Sequence, residues 1–401
     1  MALHFIDELT EELKDKVVIA RFDFNVPLDK SDRTKITDTT RIDMALETIQ
    51  YLLENGVKKL ILMSHLGRPK GKVNEEFTLE PVATYLAEKL REDVVLTESC
   101  LDRGIRTLLN LNESKVILLQ NLRFHPEEEA GSSEFAKALA SYADIYVNDA
   151  FGVAHRKHAS AYTINAYFKN KAYGGFLLKK EIQALSKIVE SPKSPFVAIV
   201  GGAKVSDKIK IIERLIINVD HLIIGGAMAY PFLVARGHEV GNSLCSQSDV
   251  ALAKRILMGS GKNKVVLPVD HVVSSEFGGK PEACDNVEID GDKMGLDIGP
   301  KTIALYTEKL AGAATVLWNG PMGLFENEDY AAGTMAIAKT LSEMESAFTL
   351  VGGGDSVSAV RKSGLFDKMS HVSTGGGASL EFIEEGSLPG IQALKFGVDL
   401  N

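Results

Sequence analysis

The stretch FVAIVGGAKVSDKIKIIERLIINVDHLIIGG (196–226) reads as strand, glycine turn, helix and strand again. Its first run, 196–202, and its last, 221–226, stay apolar up to their glycines, without the alternation of a strand that has one wet face. Between them, 205–217 carries apolar residues at helical spacing. Two strands buried on both faces and joined by an amphipathic helix are the unit of a parallel sheet covered by helices. The habit extends in both directions. Upstream it gives runs at 17–24, 59–65, 94–99, 116–121 and 145–149; downstream it gives 265–270, 315–320, 348–354 and 371–376. Helical patterns fall between them at 39–55, 79–91, 300–311 and 330–345.

Five strands before residue 150 and six after 195 predict two sheets, and 401 residues are enough for two cores. A helix at 176–190, stopped by the prolines of SPKSP (191–195), marks the change. The expectation is an α/β chain of two doubly wound, Rossmann-like parallel-sheet domains joined by a helical hinge. Their bounds are 1–185, a hinge end and linker at 186–195, 196–386, and a C-terminal segment, 387–401, returning toward the first domain.

The charge, 45 − 54 = −9, argues against a non-specific nucleic-acid binder. The longest uncharged apolar stretch, 222–235, is broken by Gly225, Gly226 and Pro231 and is too short for a membrane span. The first sixteen residues are charged throughout, so no secretory signal is expected. Cys100, Cys245 and Cys284 are far apart and form no CxxC, which predicts inert thiols in a reduced, cytoplasmic protein. The chain is also expected to be a monomer. The Asn-Glu-Ser sequon at 112–114 is then a chance match.

Ligands of open parallel sheets bind beyond the carboxyl ends of the strands, and there the halves differ. After the first-half strands come Asp23 and Asn25, His65 and Arg68, Arg123, then Asn148 and Asp149 with His155 and Arg156 close behind, while Arg41 opens the first helix. Four arginines and a histidine at one crevice suit phosphate and carboxylate oxygens. The second-half strands end in glycine: Gly201–Gly202, Gly225–Gly226, Gly320, Gly352 to Gly354 and Gly375 to Gly377. These turns hold eleven of the chain's 35 glycines, a total of 8.7% against about 7% in ordinary proteins. Such turns expose amide N–H groups, and helix N-termini add partial positive charge. Lys204 and Lys208, four apart, share a helix face, and Asp355 after three glycines is a hard oxygen suited to a nucleotide-bound Mg²⁺. Taken singly, each feature has an ordinary structural reading as a cap, a turn or a solvated face. The sorting of basic groups into one half and glycine turns into the other is what points to two anionic ligands. No Walker loop, GxGxxG turn, HRD or DFG set is present, and no HExxH metal motif.

The blocks RFDFNVP (21–27), SHLGRPKG (64–71), NLRFHPEE (121–128), NDAFGVAHRKHAS (148–160), GGAKVSDKI (201–209), WNGPMGLFE (318–326), GGGDSVSAV (352–360) and STGGGASLE (373–381) closely resemble the phosphoglycerate kinase family, in order and in register over about 15–390. The resemblance implies reversible phosphoryl transfer from 1,3-bisphosphoglycerate to ADP, giving 3-phosphoglycerate and ATP, with Mg²⁺ as cofactor. It implies a triose site of Asp23, Phe24, Asn25, Arg41, His65, Leu66, Gly67, Arg68, Arg123 and Arg156. The nucleotide site would be Lys208, Gly295, Asn319, Glu326, Gly353, Gly354, Asp355 and Ser356, with Asp355 on the metal. Arg41, Lys204, Gly376 and Gly377 would stabilise the transferring group. Two positions depart mildly from the family pattern: Ser356 stands where Thr is usual, and Val153 where a small residue such as Thr is common. A non-catalytic phosphometabolite binder on the same scaffold is the alternative. Intact Lys204, Asp355 and Gly375 to Gly377 weigh against it, and the missing GxGxxG removes a nicotinamide dehydrogenase.

Overall fold

A computed structural model describes residues 3–9, 11–111 and 114–400; Asn112 and Glu113 of the sequon lie outside them. The chain divides into two compact units, Met1–Gln183 with Ser387–Asn401, and Ala184–Gly386. The helix Phe176–Val189 runs across that division.

In the first unit the strands are β1 (Val17–Arg21), β2 (Lys59–Met63), β3 (Val94–Leu96), β4 (Val116–Leu118), β5 (Ile145–Asn148) and β6 (Ala172–Gly174). They form one parallel sheet in the order β3-β4-β2-β1-β5-β6. The centre is dry: all five residues of β2 and all four of β5 are buried, which is why these runs do not alternate. The helix Thr40–Glu54 lays Ile42, Ala45, Ile49 and Leu52 into a core with Val18, Ala20, Leu60 and Leu62. The C-terminal segment contains a helix, Pro389–Phe396, tied to this unit by the Gly390 N–H donating to Ala154 O at 2.7 Å.

The second unit repeats the plan with β7 (Phe196–Val200), β8 (His221–Ile224), β9 (Val265–Val266), β13 (Thr315–Asn319), β14 (Phe348–Gly352) and β15 (His371–Val372), ordered β15-β14-β13-β7-β8-β9 and all parallel. Trp318 is fully buried in its core. A separate antiparallel sheet, β10 (His271–Ser274), β11 (Glu282–Cys284) and β12 (Met294–Ile298), is inserted between β9 and the helix Pro300–Leu310. The sequence reading had no place for this sheet or for β6. It also ran β9 through to Asp270, whereas the strand stops before Pro268, which has no N–H for a ladder. Asp270 is instead a buried cap, accepting from the Lys301 and Thr302 N–H groups at 2.8 and 2.7 Å.

Candidate active site

In the first unit β1 lies between β2 and β5, and successive strands are added on both sides of it. Such a switch point opens a crevice beyond the strand ends. There Arg41 Nη1 donates to Asp23 Oδ2 at 2.6 Å, His65 Nδ1 lies 3.9 Å from Asp23 Oδ1, and Asn25 Oδ1 accepts the Gly67 N–H at 2.8 Å. Arg123, from the turn after β4, donates from Nη1 to Gly67 O at 3.0 Å. Asn121 builds that turn, accepting from the Arg123 N–H and donating to the Leu66 and Phe77 carbonyls. Gly67 has φ +62°, and a Cβ on it would stand 2.3 Å from the Phe77 ring, so only glycine fits. The Asn25 N–H donates to Asp23 Oδ1 at 3.2 Å and joins the two groups, so Asp23, Asn25, Arg41, His65, Gly67 and Arg123 form one connected set. Arg68 and Arg156 are exposed and outside it; Arg156 Nε donates to His155 Nε2 at 2.9 Å. Phe24 and Leu66 are core side chains, Phe24 stacked on Phe22 with ring centroids 5.3 Å apart, and offer a ligand only their backbone.

The site's histidines register its charge. Burial, then the cations of Arg21, Arg123 and Arg41, hold His65 well below the ordinary imidazole value. Burial with Arg21 and Arg123 takes His158 down to about 3, and burial with Arg156 lowers His155. Burial is the larger cause in each case, and the arginines beside these imidazoles add to it inside a chain of net charge −9. Asn148 and Asp149, picked out in the sequence as strand-end polar groups, are instead buried and structural. Asn148 Oδ1 accepts the Ala150 N–H at 3.0 Å, and Asp149 Oδ1 accepts the Leu178 N–H at 2.9 Å, capping the helix Phe176–Val189.

In the second unit the switch point lies between β7 and β13, and Lys208 sits on it. Its ammonium donates to Gly201 O at 2.7 Å, Asn319 O at 3.1 Å and Asn319 Oδ1, using all three protons on protein acceptors. Burial lowers its pKa to about 8, against the opposing pull of Asp355 and Asp207. Asn319 is buried and donates to Gly352 O at 2.8 Å; Gly353 takes φ +89°, where a Cβ would stand 2.6 Å from Asn319 Nδ2. Gly353 is the N-cap of the helix Gly354–Lys362, and Gly376, at φ +55°, is the N-cap of Gly377–Glu385. Lys204 and Asp355 are exposed. Ser356 is fully buried, and its hydroxyl oxygen accepts the Gly320 N–H at 2.5 Å. It shapes the β13 turn, so only its backbone is available to a ligand.

Beside these turns is a cavity of about 300 Å³ lined by Gly202, Gly226, Gly295, Glu326 and Asp355 and by the apolar Leu244, Phe277, Met294, Leu296 and Leu324. Gly295 lets Tyr230 pack against this wall: a Cβ there would meet the Tyr230 hydroxyl at 2.0 Å. An apolar slot with carboxylates at its edge and glycine amides beside it fits a nucleobase, ribose and phosphates. Its wall at Met294–Leu296 comes from β12; the sequence reading identified Gly202, Gly226, Gly295, Glu326 and Asp355 in it but none of its apolar side chains. Among the described residues no three His, Cys, Asp or Glu side chains gather as a metal cage.

The sequence reading also passed over Arg21, Glu128, His158 and Ser160, all buried behind the first site. Their signal was present in RFD (21–23) and HAS (158–160), where polar residues interrupt otherwise apolar or small-residue runs.

A family model described as phosphoglycerate kinase matches residues 6–386. A phosphoglycerate kinase of Anaeromyxobacter dehalogenans (strain 2CP-C) is 52% identical over 98% of this chain and 100% of its own, and one of Pelodictyon phaeoclathratiforme is 50% identical over 96% and 97%. The solved phosphoglycerate kinase of Coxiella burnetii superposes with TM-score 0.88 at 39% identity, covering 98% of this chain and 99% of its own; that of Pyrococcus horikoshii OT3 gives 0.80 at 31% over the same shares. With matches running nearly end to end in both sequence and structure, the chain belongs to the phosphoglycerate kinase family.

Proposed function

We propose that the chain transfers the acyl phosphate of 1,3-bisphosphoglycerate to ADP, and back, with the triose held by the first unit and the nucleotide by the second. The observation that carries the reading is the linked set Asp23, Asn25, Arg41, His65, Gly67 and Arg123 at one switch point, set against glycine turns and an apolar slot at the other. Asp23 and Arg123 fix the triose, with Arg68 and Arg156 as exposed arginines able to close on its phosphate. The slot takes the base, Glu326 the ribose, and the amides around Gly353, Gly354 and Asp355 the phosphates. Asp355 would hold Mg²⁺, which when bound neutralises phosphate charge.

In the direction that consumes ATP the nucleophile is a carboxylate, ionised at pH 7, so no base is required. The task is to align two anions and stabilise charge spread over the equatorial oxygens. Lys204, Arg41 and the Gly376 and Gly377 amides are assigned to that charge, and Lys208 keeps the β7 and β13 ends together while lending its own. Transfer needs the reacting atoms about 3–3.5 Å apart with water excluded. The reading therefore includes a closure of the units, hinged in 176–195 and at the C-terminal return, on a microsecond-to-millisecond scale. Scattering profiles that fail to contract with both substrates present would contradict it. The three cysteines are free, and no helix among the described residues is long and apolar enough to cross a membrane.

The test supplies ATP, Mg²⁺ and 3-phosphoglycerate and traps acyl phosphate with hydroxylamine. Trapped product that depends on all three is expected. Binding of both ligands without product would favour the non-catalytic reading.

A further inference from the structure

Behind the first unit's site a buried hydrogen-bond chain ends on His65. Arg21, fully buried at the end of β1, donates from Nη2 to His65 Nδ1 at 3.1 Å and from Nε to Ser160 Oγ at 2.9 Å. Ser160 Oγ donates to Glu128 Oε1 at 2.6 Å, and the Ser160 N–H donates to Glu128 Oε2 at 2.9 Å. Tyr146 locks the same backbone, its hydroxyl donating to Ser160 O at 2.8 Å. Glu128, Ser160 and Arg21 are each 0% exposed, so the chain is shielded from water and from any ligand.

The direction of the chain is fixed by chemistry. A guanidinium has only donors, so Ser160 Oγ must accept from Arg21 and its single proton must go to Glu128. By the same argument His65 Nδ1 must present its lone pair to Arg21, which leaves the ring proton on Nε2. Nε2 has no acceptor among the described residues. The groups facing the imidazole are Arg21 and Asp23 from β1 and its end, Arg41 from the first helix, Arg123 from the turn after β4, and His158; the balance of charge is cationic. A second proton at Nδ1 would face Arg21 head-on.

We propose that Glu128 and Ser160 are positioning residues for the transfer reaction: acting through Arg21, they hold His65 as the neutral Nε2–H tautomer, so that it meets the triose carboxylate or phosphate as a directed hydrogen-bond donor at every working pH. Neither touches the substrate. The assignment of His65 to the triose rests on the function proposed above; the tautomer does not.

The test is ¹⁵N NMR of histidine-labelled protein without substrate, followed by KM for 3-phosphoglycerate as a function of pH. In the wild type, His65 should show an unprotonated Nδ1 and a protonated Nε2 from pH 5.5 to 8, without titrating; a protonated Nδ1 overturns the proposal with no variant needed. In Ser160→Ala, His65 should mix tautomers and take up a proton within that range. KM relative to wild type, a ratio that cancels titration of the substrate's own phosphate, should rise about tenfold at pH 8, the worth of one hydrogen bond. It should recover toward pH 6 as the imidazolium regains an obligatory Nε2–H, with kcat changed less than KM. Ser160→Thr, which keeps the hydroxyl, should restore both signatures. A Ser160→Ala spectrum identical to wild type overturns the chain's role. A changed spectrum with an unchanged KM ratio overturns the proposal from its other end, by removing His65 from the triose site while leaving the kinase reading intact.

Discussion

The two units share a sheet plan and differ in what they place at its switch point. The first builds with side chains: Arg41 on Asp23, Arg123 on Gly67, His65 among cations. The second builds with backbone: helix N-termini at Gly354 and Gly377, turns that only glycine can make, and one lysine spent on holding two strand ends together. A side-chain site can be re-tuned one group at a time. A backbone site is tied to the fold, so damage to it should appear in stability as well as in binding.

The largest expected effect falls on an exposed residue with no structural task. Lys204→Ala should lower kcat by about 3–4 kcal/mol of barrier, on the scale of losing one oxyanion donor, while leaving Tm and nucleotide binding nearly unchanged; steady-state kinetics with a melting curve check both. A kcat within tenfold of wild type would remove Lys204 from the transferring group. Next comes Arg123→Lys, which keeps the charge and loses the fork that reaches Gly67 and, in the proposed function, the triose as well. KM for 3-phosphoglycerate should worsen by ~1.5–3 kcal/mol, with KM for ATP unmoved. Gly353→Ala should cost ~1–3 kcal/mol of stability, because a Cβ at φ +89° meets Asn319. Gly377→Ala, where a Cβ meets nothing within 4 Å, should leave the urea midpoint almost unchanged. If the two glycines behave alike, the backbone account of the second site is wrong.

Each unit also buries one carboxyl pushed up from 3.8 to about 7, Asp149 in the first and Asp297 in the second, both chiefly by burial. The folded state then holds protons that the unfolded state has released. The contribution of these groups is fully present below pH 3.8 and is lost as pH rises through about 7. Asp149→Asn should flatten the fall in urea stability between pH 5 and pH 8. An undiminished slope would mean that this carboxyl is already ionised in the fold. The smallest effect is reserved for Ser356→Thr, which keeps the oxygen that receives the Gly320 N–H. Nucleotide KM should stay within about threefold, since the hydroxyl is structural.

The sheets were legible because a strand dry on both faces has no alternation to confuse: the runs at 17–24, 59–65, 196–202 and 348–354 contain β1, β2, β7 and β14. The inserted antiparallel sheet was not, because Glu282–Cys284 is largely exposed and three residues long, and its pairing with His271–Ser274 joins residues nine to thirteen apart. In the sites, arginines and glycines announced themselves by type and position. Phe277 and Leu244 did not, since apolar residues in irregular segments look alike whether they line a slot or merely lie exposed. Nor did Glu128 and Ser160, whose role depends on a buried arginine that the run VVIAR presents as the polar end of a strand.

The division of labour between the units is best tested by calorimetric titration of 3-phosphoglycerate and of Mg-ADP, separately, into wild type and the double variant Arg41→Ala/Arg123→Ala. Loss of two charged hydrogen-bonding groups should weaken 3-phosphoglycerate about 100-fold or more while Mg-ADP binds within about threefold of wild type. Equal loss of both ligands, or retention of 3-phosphoglycerate affinity, would contradict the assignment of one anion to each unit.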